Sequence, residues 1–363
     1  MTQTQPILLM AGGTGGHVFP ALAIAEALRT QGFTVSWLGT RRGLEARVVP
    51  AAEIDIKYIS IEGIRGKGLI SILAAPFKIA LAIWQSVRVL RALRPAAVVG
   101  MGGFVTGPGG VAAWLLRIPL LIHEQNAIAG MTNRWLARIA LKVMEAFPDT
   151  FPKKCHAIYT GNPLRANIMN LSPPEPRTKH EPWRILIVGG SLGAKALNDT
   201  VPQALRQIPG ALEVWHQTGK IHIEAMQKAY EGAPFKARVV AFIEDMATAY
   251  AWADIVICRA GAITVGELAQ AGIASILVPY PYAVDDHQTS NARFLSKKGA
   301  AILLPQTNLT IEKLATLMTE LHDNPARLQA MSAAARKCGT PSALQKVVDL
   351  VVKTAYPEKN VHQ

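Results

Sequence analysis

Met10-Ala-Gly-Gly-Thr-Gly-Gly-His-Val-Phe-Pro-Ala-Leu-Ala-Ile-Ala-Glu-Ala-Leu28 follows directly on the apolar run Ile7-Leu8-Leu9. Four glycines, a threonine and a histidine stand between a strand pattern and a helix pattern. Leu22, Ala25, Leu28 and Arg29 keep helical spacing, Pro20 suits the first helical position, and Gly32 suits the C-terminal cap. The glycine turn therefore falls at a helix N-terminus. There, unpaired N–H groups and the helix dipole favour an anion, and the missing side chains let it reach the backbone. One or two glycines can serve a tight turn with no ligand; four point to a phosphate-bearing ligand. A dinucleotide fits poorly. Val18 stands where the third glycine of G-x-G-x-x-G belongs, and the next strand pattern ends Trp37-Leu-Gly-Thr40 without an acidic residue for a ribose. No Gly-Lys-Ser/Thr ending marks a Walker A loop either.

The pattern recurs. Trp183-Arg-Ile-Leu-Ile-Val-Gly-Gly-Ser-Leu-Gly-Ala-Lys-Ala-Leu-Asn198 is again strand, glycine turn, helix. Each half also has a later glycine-rich turn, Gly100-Met-Gly-Gly-Phe-Val-Thr-Gly-Pro-Gly-Gly110 and Arg259-Ala-Gly-Ala-Ile-Thr-Val-Gly-Glu267. Strand patterns are read at 7–10, 34–38, 96–99, 119–123 and 157–160. They resume at 184–188, 213–216, 238–242, 254–258, 275–278 and 301–304. Continuous apolar strands alternating with helices predict parallel sheets covered on both faces. Between the two sets, Asn170-Leu-Ser-Pro-Pro-Glu-Pro-Arg-Thr-Lys-His-Glu-Pro182 reads as a loop near a domain junction. The expected fold class is α/β, with two Rossmann-like doubly wound domains facing each other across a cleft, and ligands beyond the carboxyl ends of the strands.

Half of the 363 residues are hydrophobic and 17% are charged, a globular composition long enough for two domains. With 38 basic against 25 acidic residues the net charge is +13, which suggests an anionic partner. Cys155, Cys258 and Cys338 form no C-x-x-C pair, so neither a zinc site nor a disulfide framework is expected, and a reducing compartment is. The start, Met-Thr-Gln-Thr-Gln-Pro, lacks the pattern of a signal peptide. No uninterrupted apolar run reaches the ~18 residues of a membrane span.

Six motifs, in this order, carry a resemblance: Gly12-Gly-Thr-Gly-Gly-His17, Gly102-Gly-Phe-Val-Thr-Gly-Pro-Gly-Gly110, His123-Glu-Gln-Asn-Ala-Ile-Ala-Gly130, Gly161-Asn-Pro-Leu-Arg165, Gly189-Gly-Ser-Leu-Gly-Ala194 and Ala262-Ile-Thr-Val-Gly-Glu267. Over nearly its whole length the chain resembles the MurG family of bacterial transferases that make lipid II. The resemblance implies a GT-B fold. It also implies inverting transfer of N-acetylglucosamine from UDP-N-acetylglucosamine to lipid I, the undecaprenyl-pyrophosphoryl-MurNAc-pentapeptide. It implies domains over 1–162 (acceptor and membrane side) and 163–341 (donor), with 342–363 returning to the first. Arg165 and Ser191 would hold the donor's phosphates, and Ser191 can also be read directly as a hydroxyl in a glycine turn. Ala262, Ile263, Thr264, Val265 and Gly266 would form the donor wall, Ile243 would offer backbone contacts to uracil, and Gln288 would meet the sugar hydroxyls. Glu267 would take both ribose hydroxyls; its alternative is a first-turn glutamate complementing the helix dipole. Asn126, a turn residue on its own terms, would lie near the transferred sugar with Thr14, Gly15 and Gly16.

His17 is delivered by the glycine turn to a helix N-terminus. There it either takes a proton from the acceptor hydroxyl or merely bonds to the turn. His123 and Glu124 are lesser candidates. No Asp-x-Asp stands at a strand end, so neither a metal nor any other cofactor is expected; helix N-termini and Arg165 would stabilise departing UDP. From 63 to 94 there are six basic residues, Arg65, Lys67, Lys78, Arg88, Arg91 and Arg94, and no acidic one, interleaved with apolar residues such as Leu73, Phe77 and Trp84. Part of this reads as a core helix with a basic outer face. The excess of apolar residues reads as an interfacial site for an anionic membrane, which places the protein peripherally on the cytoplasmic face of the inner membrane. Nucleic acid is not expected as a partner, because no aromatic-basic stacking platform is present. A sugar-nucleotide epimerase on the same fold and a non-catalytic scaffold are the rival readings.

Overall fold

In a computed structural model of the chain, which describes residues 5–63, 74–172, 182–190 and 192–357, the polypeptide divides into two compact units. One comprises Met1–Arg165 with Ser342–Gln363, the other Ala166–Pro341.

The first unit is built on seven parallel strands: β1 (Ile7–Met10), β2 (Val35–Gly39), β3 (Asp55–Tyr58), β4 (Ala97–Gly100), β5 (Leu120–Glu124), β6 (Lys142–Glu145) and β7 (Ile158–Tyr159). Their spatial order is β3-β2-β1-β4-β5-β6-β7. Every β1 side chain is buried, because both faces are covered. Ile7 and Leu9 pack with Val18, Ile24 and Leu28 of α1 (Gly15–Thr30). Leu8 and Met10 pack on the other face with Ala82 and Leu90 of α3 (Ala75–Leu93) and with Ala112 and Ala113 of α4 (Thr106–Leu115). Between these lie α2 (Glu45–Ala51) and, further on, α5 (Met131–Leu136). The helix that follows the second unit, Ala343–Ala355, also joins the first core through Val347, Val348 and Val351. Burial of each of these valines contributes about 1.5–3 kcal/mol as an upper figure. Tyr356 then stacks on Phe33 at 5.2 Å and donates its hydroxyl proton to the Gln5 carbonyl.

The second unit repeats the plan with β8 (Trp183–Val188), β9 (Leu212–Gln217), β10 (Lys236–Val240), β11 (Ile255–Cys258), β12 (Ala274–Leu277) and β13 (Ala301–Leu303). They are parallel in the order β10-β9-β8-β11-β12-β13. The helices are α6 (Ala166–Met169), α7 (Lys195–Leu205), α8 (Ile223–Tyr230), α9 (Met246–Trp252), α10 (Ala262–Ala271), α11 (His287–Ser296), α12 (Ile311–His322) and α13 (Pro325–Lys337); Ala343–Ala355 is α14. Ile185 and Ile187 meet Leu197 and Val201 of α7 and Leu314 and Met318 of α12. In both sheets the strand order reverses beside the first strand, at β1/β4 and at β8/β11. Ligands of doubly wound folds collect at the carboxyl ends of such strands.

Several expectations need correction. Pro20 is not the first helical residue. Helix α1 begins at Gly15, immediately after Thr14 in extended conformation, and Pro20 lies inside it. Phe19 occupies the space a Gly15 side chain would need, with Cε2 2.8 Å from that position, so glycine suits the first helical residue. Strands β3 and β6 went unread, and β10 begins two residues before the expected start. Most of the proline-rich segment, 173–181, lies outside the described residues, as do Ser191, Arg65, Lys67, Leu69, Ile70, Ile72 and Leu73.

Candidate active site

The two glycine turns of the first unit leave the carboxyl ends of β1 and β4, the strands at the order reversal. They touch through bare backbone. Gly103 has φ +86°, and a β-carbon there would lie 2.2 Å from the Gly12 carbonyl oxygen. A buried carboxylate fixes the first turn: Glu45 Oε2 accepts from Gly13 N at 3.0 Å, while Oε1 accepts from Thr40 N at 2.9 Å and Thr40 Oγ1 at 2.8 Å. Thr14 and Gly16 are exposed and Gly15 and His17 half-buried, all at the start of α1.

The carboxyl end of β5 supplies a chain of side chains to the same place. His17 Nδ1 lies 2.8 Å from Gln125 Oε1. Gln125 Nε2 lies 3.1 Å from His123 Nδ1, and His123 Nε2 lies 3.0 Å from the Gly161 carbonyl oxygen. Both His123 and Gln125 are buried. Burial pushes the His123 pKa down to about 4, only partly offset by its bond to Gly161 and by the charge of Glu124. Glu124 is consumed by its own loop. Its Oε1 accepts from Asn126 N and Nδ2 at 3.0 and 3.1 Å, and its Oε2 from Gly130 N at 3.0 Å and Asn133 Nδ2 at 2.9 Å. That leaves both lesser base candidates buried in supporting roles, and it holds half-buried Asn126 by its amide. Arg165 closes the first unit, its guanidinium 5.7 Å from the Phe19 ring centroid.

In the second unit the turns leave β8 and β11, again at the order reversal. Gln217 takes the part that Glu45 plays in the first. Its Oε1 accepts from Gly190 N at 2.9 Å, and its Nε2 donates to Gly190 O and Ala241 O, both at 2.9 Å. Gly193, at φ +77°, runs against Thr218 O, 2.0 Å from where a β-carbon would stand. Gly261 precedes α10, whose first residues are Ala262 to Gly266. Ile263, Thr264 and Gly266 are half-buried; Ala262 is nearly buried and Val265 fully so, its N–H donating to the Gly261 carbonyl at 2.9 Å.

Glu267 is the sixth residue of α10, past the first turn, so the dipole-complementing reading fails. The residue is 6% exposed, and its Oε2 accepts the Tyr250 hydroxyl proton at 3.0 Å. Beside it, burial first and the Glu267 charge second push the Cys258 thiol up to about 12. Ile243 is buried in the loop after β10, next to exposed Phe242. Gln288, at the start of α11, accepts from Tyr280 N at 2.9 Å. Four residues with supporting roles were not singled out from the sequence: Glu45, Gln125, Gln217 and Tyr250. Each acts on a partner distant in the chain; only Gln125 lies within a quoted motif.

Two models of protein families match the chain: the glycosyltransferase family 28 N-terminal domain over residues 7–145 and the family 28 C-terminal domain over 184–350. With paired doubly wound sheets and glycine turns at each order reversal, these make the chain a GT-B glycosyltransferase. A curated relative from Stutzerimonas stutzeri is 51% identical over 352 residues, 96% of this chain and 99% of its own. It is named UDP-N-acetylglucosamine–N-acetylmuramyl-(pentapeptide) pyrophosphoryl-undecaprenol N-acetylglucosamine transferase. The crystal structure of Acinetobacter baumannii MurG superposes with a TM-score of 0.83 at 48% identity, covering 96% of this chain and 99% of that one. The chain belongs to the MurG family. A UDP-N-acetylglucosamine 2-epimerase structure, 14% identical with a TM-score of 0.65 over 100% of this chain and 99% of its own, shares the fold alone.

Proposed function

We propose that this chain transfers N-acetylglucosamine from UDP-N-acetylglucosamine to lipid I, with inversion, to give lipid II and UDP. The observation that carries the proposal is 51% identity, over almost the full length of both chains, to a transferase of that name. The second unit binds the donor. Ser191 of the Gly189-Gly-Ser motif and Arg165, the last residue before the second unit, hold its phosphates, Ile243 contacts its uracil, Glu267 its ribose hydroxyls, and Ala262, Ile263, Thr264, Val265 and Gly266 line it. Gln288 meets the sugar. The first unit binds lipid I, with Thr14, Gly15, Gly16 and Asn126 beside the reacting hydroxyl. His17 takes the proton of that hydroxyl as its oxygen attacks the anomeric carbon. The bond to the β-phosphate oxygen breaks, and that oxygen leaves with the negative charge.

Helix α3 holds the enzyme to the membrane. Ala75, Ala82, Ser86 and Leu90 are buried in the core, and Val87, Val89 and Leu93 pack partly buried against it. Phe77 is 80% exposed and Trp84 54%, with Ile79 and Leu81 also exposed. Lys78, Arg88, Arg91 and Arg94 are exposed among them, and Arg88 lies 4.9 Å over the Trp84 ring. Among the described residues no helix is long and apolar enough to cross a membrane. An apolar face ringed with positive charge suits a peripheral site on anionic lipid at the cytoplasmic surface of the inner membrane.

Incubation with labelled UDP-N-acetylglucosamine and lipid I tests the reaction. The expected result is labelled lipid II and one UDP for each. UDP released equally without lipid I, or conversion of the free sugar nucleotide to an epimer, would overturn it. For the base, His17→Ala lowers kcat by about 10²–10⁴-fold with little change in UDP affinity. Turnover within a few-fold of the parent removes His17 from that role.

A further inference from the structure

Two carbonyl oxygens determine where the protons sit around His17. A carbonyl oxygen only accepts. Gly161 O lies 3.0 Å from His123 Nε2, so that nitrogen carries a hydrogen. With its pKa held near 4 by burial, the His123 imidazole is neutral around pH 7, and its Nδ1 is a bare acceptor. Gln125 Nε2 faces that Nδ1 at 3.1 Å and the His123 carbonyl oxygen at 3.2 Å. Both are acceptors, so the amide's NH2 end points at His123 and its oxygen points away. That oxygen is the atom 2.8 Å from His17 Nδ1. It too only accepts, so His17 Nδ1 carries the hydrogen. In a neutral imidazole the other nitrogen then holds a lone pair. Among the described residues none hydrogen-bonds His17 Nε2.

We infer that Gln125, itself held by His123, is a positioning residue that locks His17 in the Nδ1–H tautomer and leaves Nε2 bare to accept a proton. Its effect on rate rests on His17 being the base; the tautomer lock stands apart from that. The hydrogen bond at one ring nitrogen sets the role of the other. A carboxylate does this for the histidine of serine-protease triads; here a neutral amide supplies the same direction with no net charge. The chain of bonds ends on the backbone at Gly161, in the motif Gly161-Asn-Pro-Leu-Arg165 that carries Arg165. Gln125 Oε1 faces only His17 among the described residues, and Asn162 Nδ2 donates to the Gln125 carbonyl at 3.1 Å, which fixes the backbone from which the amide projects.

The test is 15N NMR of the full chain labelled at histidine, with the His17 resonances assigned through His17→Gln, alongside steady-state kinetics. The parent is expected to show His17 as Nδ1–H. Gln125→Leu, close in volume, should populate the Nε2–H form and lower kcat on the order of tenfold to a hundredfold, as losing the orienting partner does for a metal-bound histidine. UDP affinity should stay unchanged. Gln125→Glu keeps an accepting oxygen towards His17 but loses the amide hydrogens that His123 accepts, so it should restore the Nδ1–H form and only part of the turnover lost in Gln125→Leu. An Nε2–H His17 in the parent would overturn the inference, whatever the variants do. So would a Gln125→Leu protein whose tautomer and kcat match the parent. A fully active His17→Ala with the Nδ1–H form intact in the parent would instead sink the base assignment and leave the lock standing.

Discussion

At the scale of single residues, the proposed donor site turns on a buried carboxylate. Glu267 is 6% exposed, and its partner Tyr250 reaches it from α9. Hydrogen bonds to a charged group contribute about 1.5–3 kcal/mol. Glu267→Ala is therefore expected to weaken UDP binding by roughly 10- to 150-fold, with the far-ultraviolet circular dichroism unchanged. Tyr250→Phe removes only the bond that aims the carboxylate and should weaken UDP by less than tenfold, near the ~1 kcal/mol of an ordinary hydrogen bond. Calorimetric titration of UDP into both variants decides it; affinity equal to the parent in Glu267→Ala would take that residue out of the site. A second residue-scale expectation concerns Cys258. Fully buried, with its thiol held near 12 by burial and by Glu267, it should resist iodoacetamide at pH 8 while half-buried Cys155 is alkylated. Mass spectrometry showing Cys258 modified in the folded protein first would contradict this.

At the scale of elements, most strands were legible, β7 and β13 at two of the sheet edges among them, while β3, β6 and the start of β10 were not. Ile7-Leu-Leu-Met10 and Ile185-Leu-Ile187 are apolar at every position because helices cover both faces. Strand β3, Asp55-Ile-Lys-Tyr58, lies at a sheet edge, exposes Asp55 and only half-buries the rest, and so alternates like a surface segment. Strand β10 is the other sheet's edge and alternates in the same way over Lys236-Ala-Arg238, which hid its start. β6 spans only four residues, with a charge at each end. The glycine turns could be read because their composition is local. Their supports could not: Glu45 lies 32 residues from Gly13, and Gln125 lies 108 from His17. Helix α3 shows the same division. Its apolar excess was visible in sequence, but that Phe77 and Trp84 face outward required the buried stripe Ala75, Ala82, Ser86 and Leu90 to be located. For membrane docking, co-sedimentation with vesicles containing anionic lipid should show binding at low salt that falls as salt rises. Replacing Lys78, Arg88 and Arg91 by glutamate should abolish it, since each basic charge near the surface contributes about 1 kcal/mol. Phe77→Ser with Trp84→Ser should weaken the part that survives salt. Equal binding by parent and charge-reversed protein would exclude this helix as the docking face.

At the scale of the whole molecule, stability should depend on pH through one buried histidine in each unit. Burial lowers His123 from 6.5 to about 4 and His216 from 6.5 to about 3. In the native chain both stay neutral, while in the unfolded chain each takes a proton as pH falls past 6.5. The unfolded state then binds more protons, so stability is full above pH 6.5 and declines towards pH 4. Each histidine contributes about 1.4 kcal/mol per pH unit to that decline. Glu145 works the other way near its own, raised, pKa, since the native state takes up its proton first as pH falls. Urea denaturation at pH 7.5 and pH 5 should show the loss, on the order of 2 kcal/mol from each histidine. His216→Gln should flatten the slope; an unchanged slope would assign the effect elsewhere.

The return of Val347, Val348 and Val351 to a core begun at Ile7 has a consequence for synthesis. On the ribosome, α14 emerges only after all of Ala166–Pro341. The unit started first is thus finished last. Until then Ile7, Leu9 and α1 lack the apolar partners that Val347, Val348 and Val351 supply, while the second unit already holds every segment of its own core.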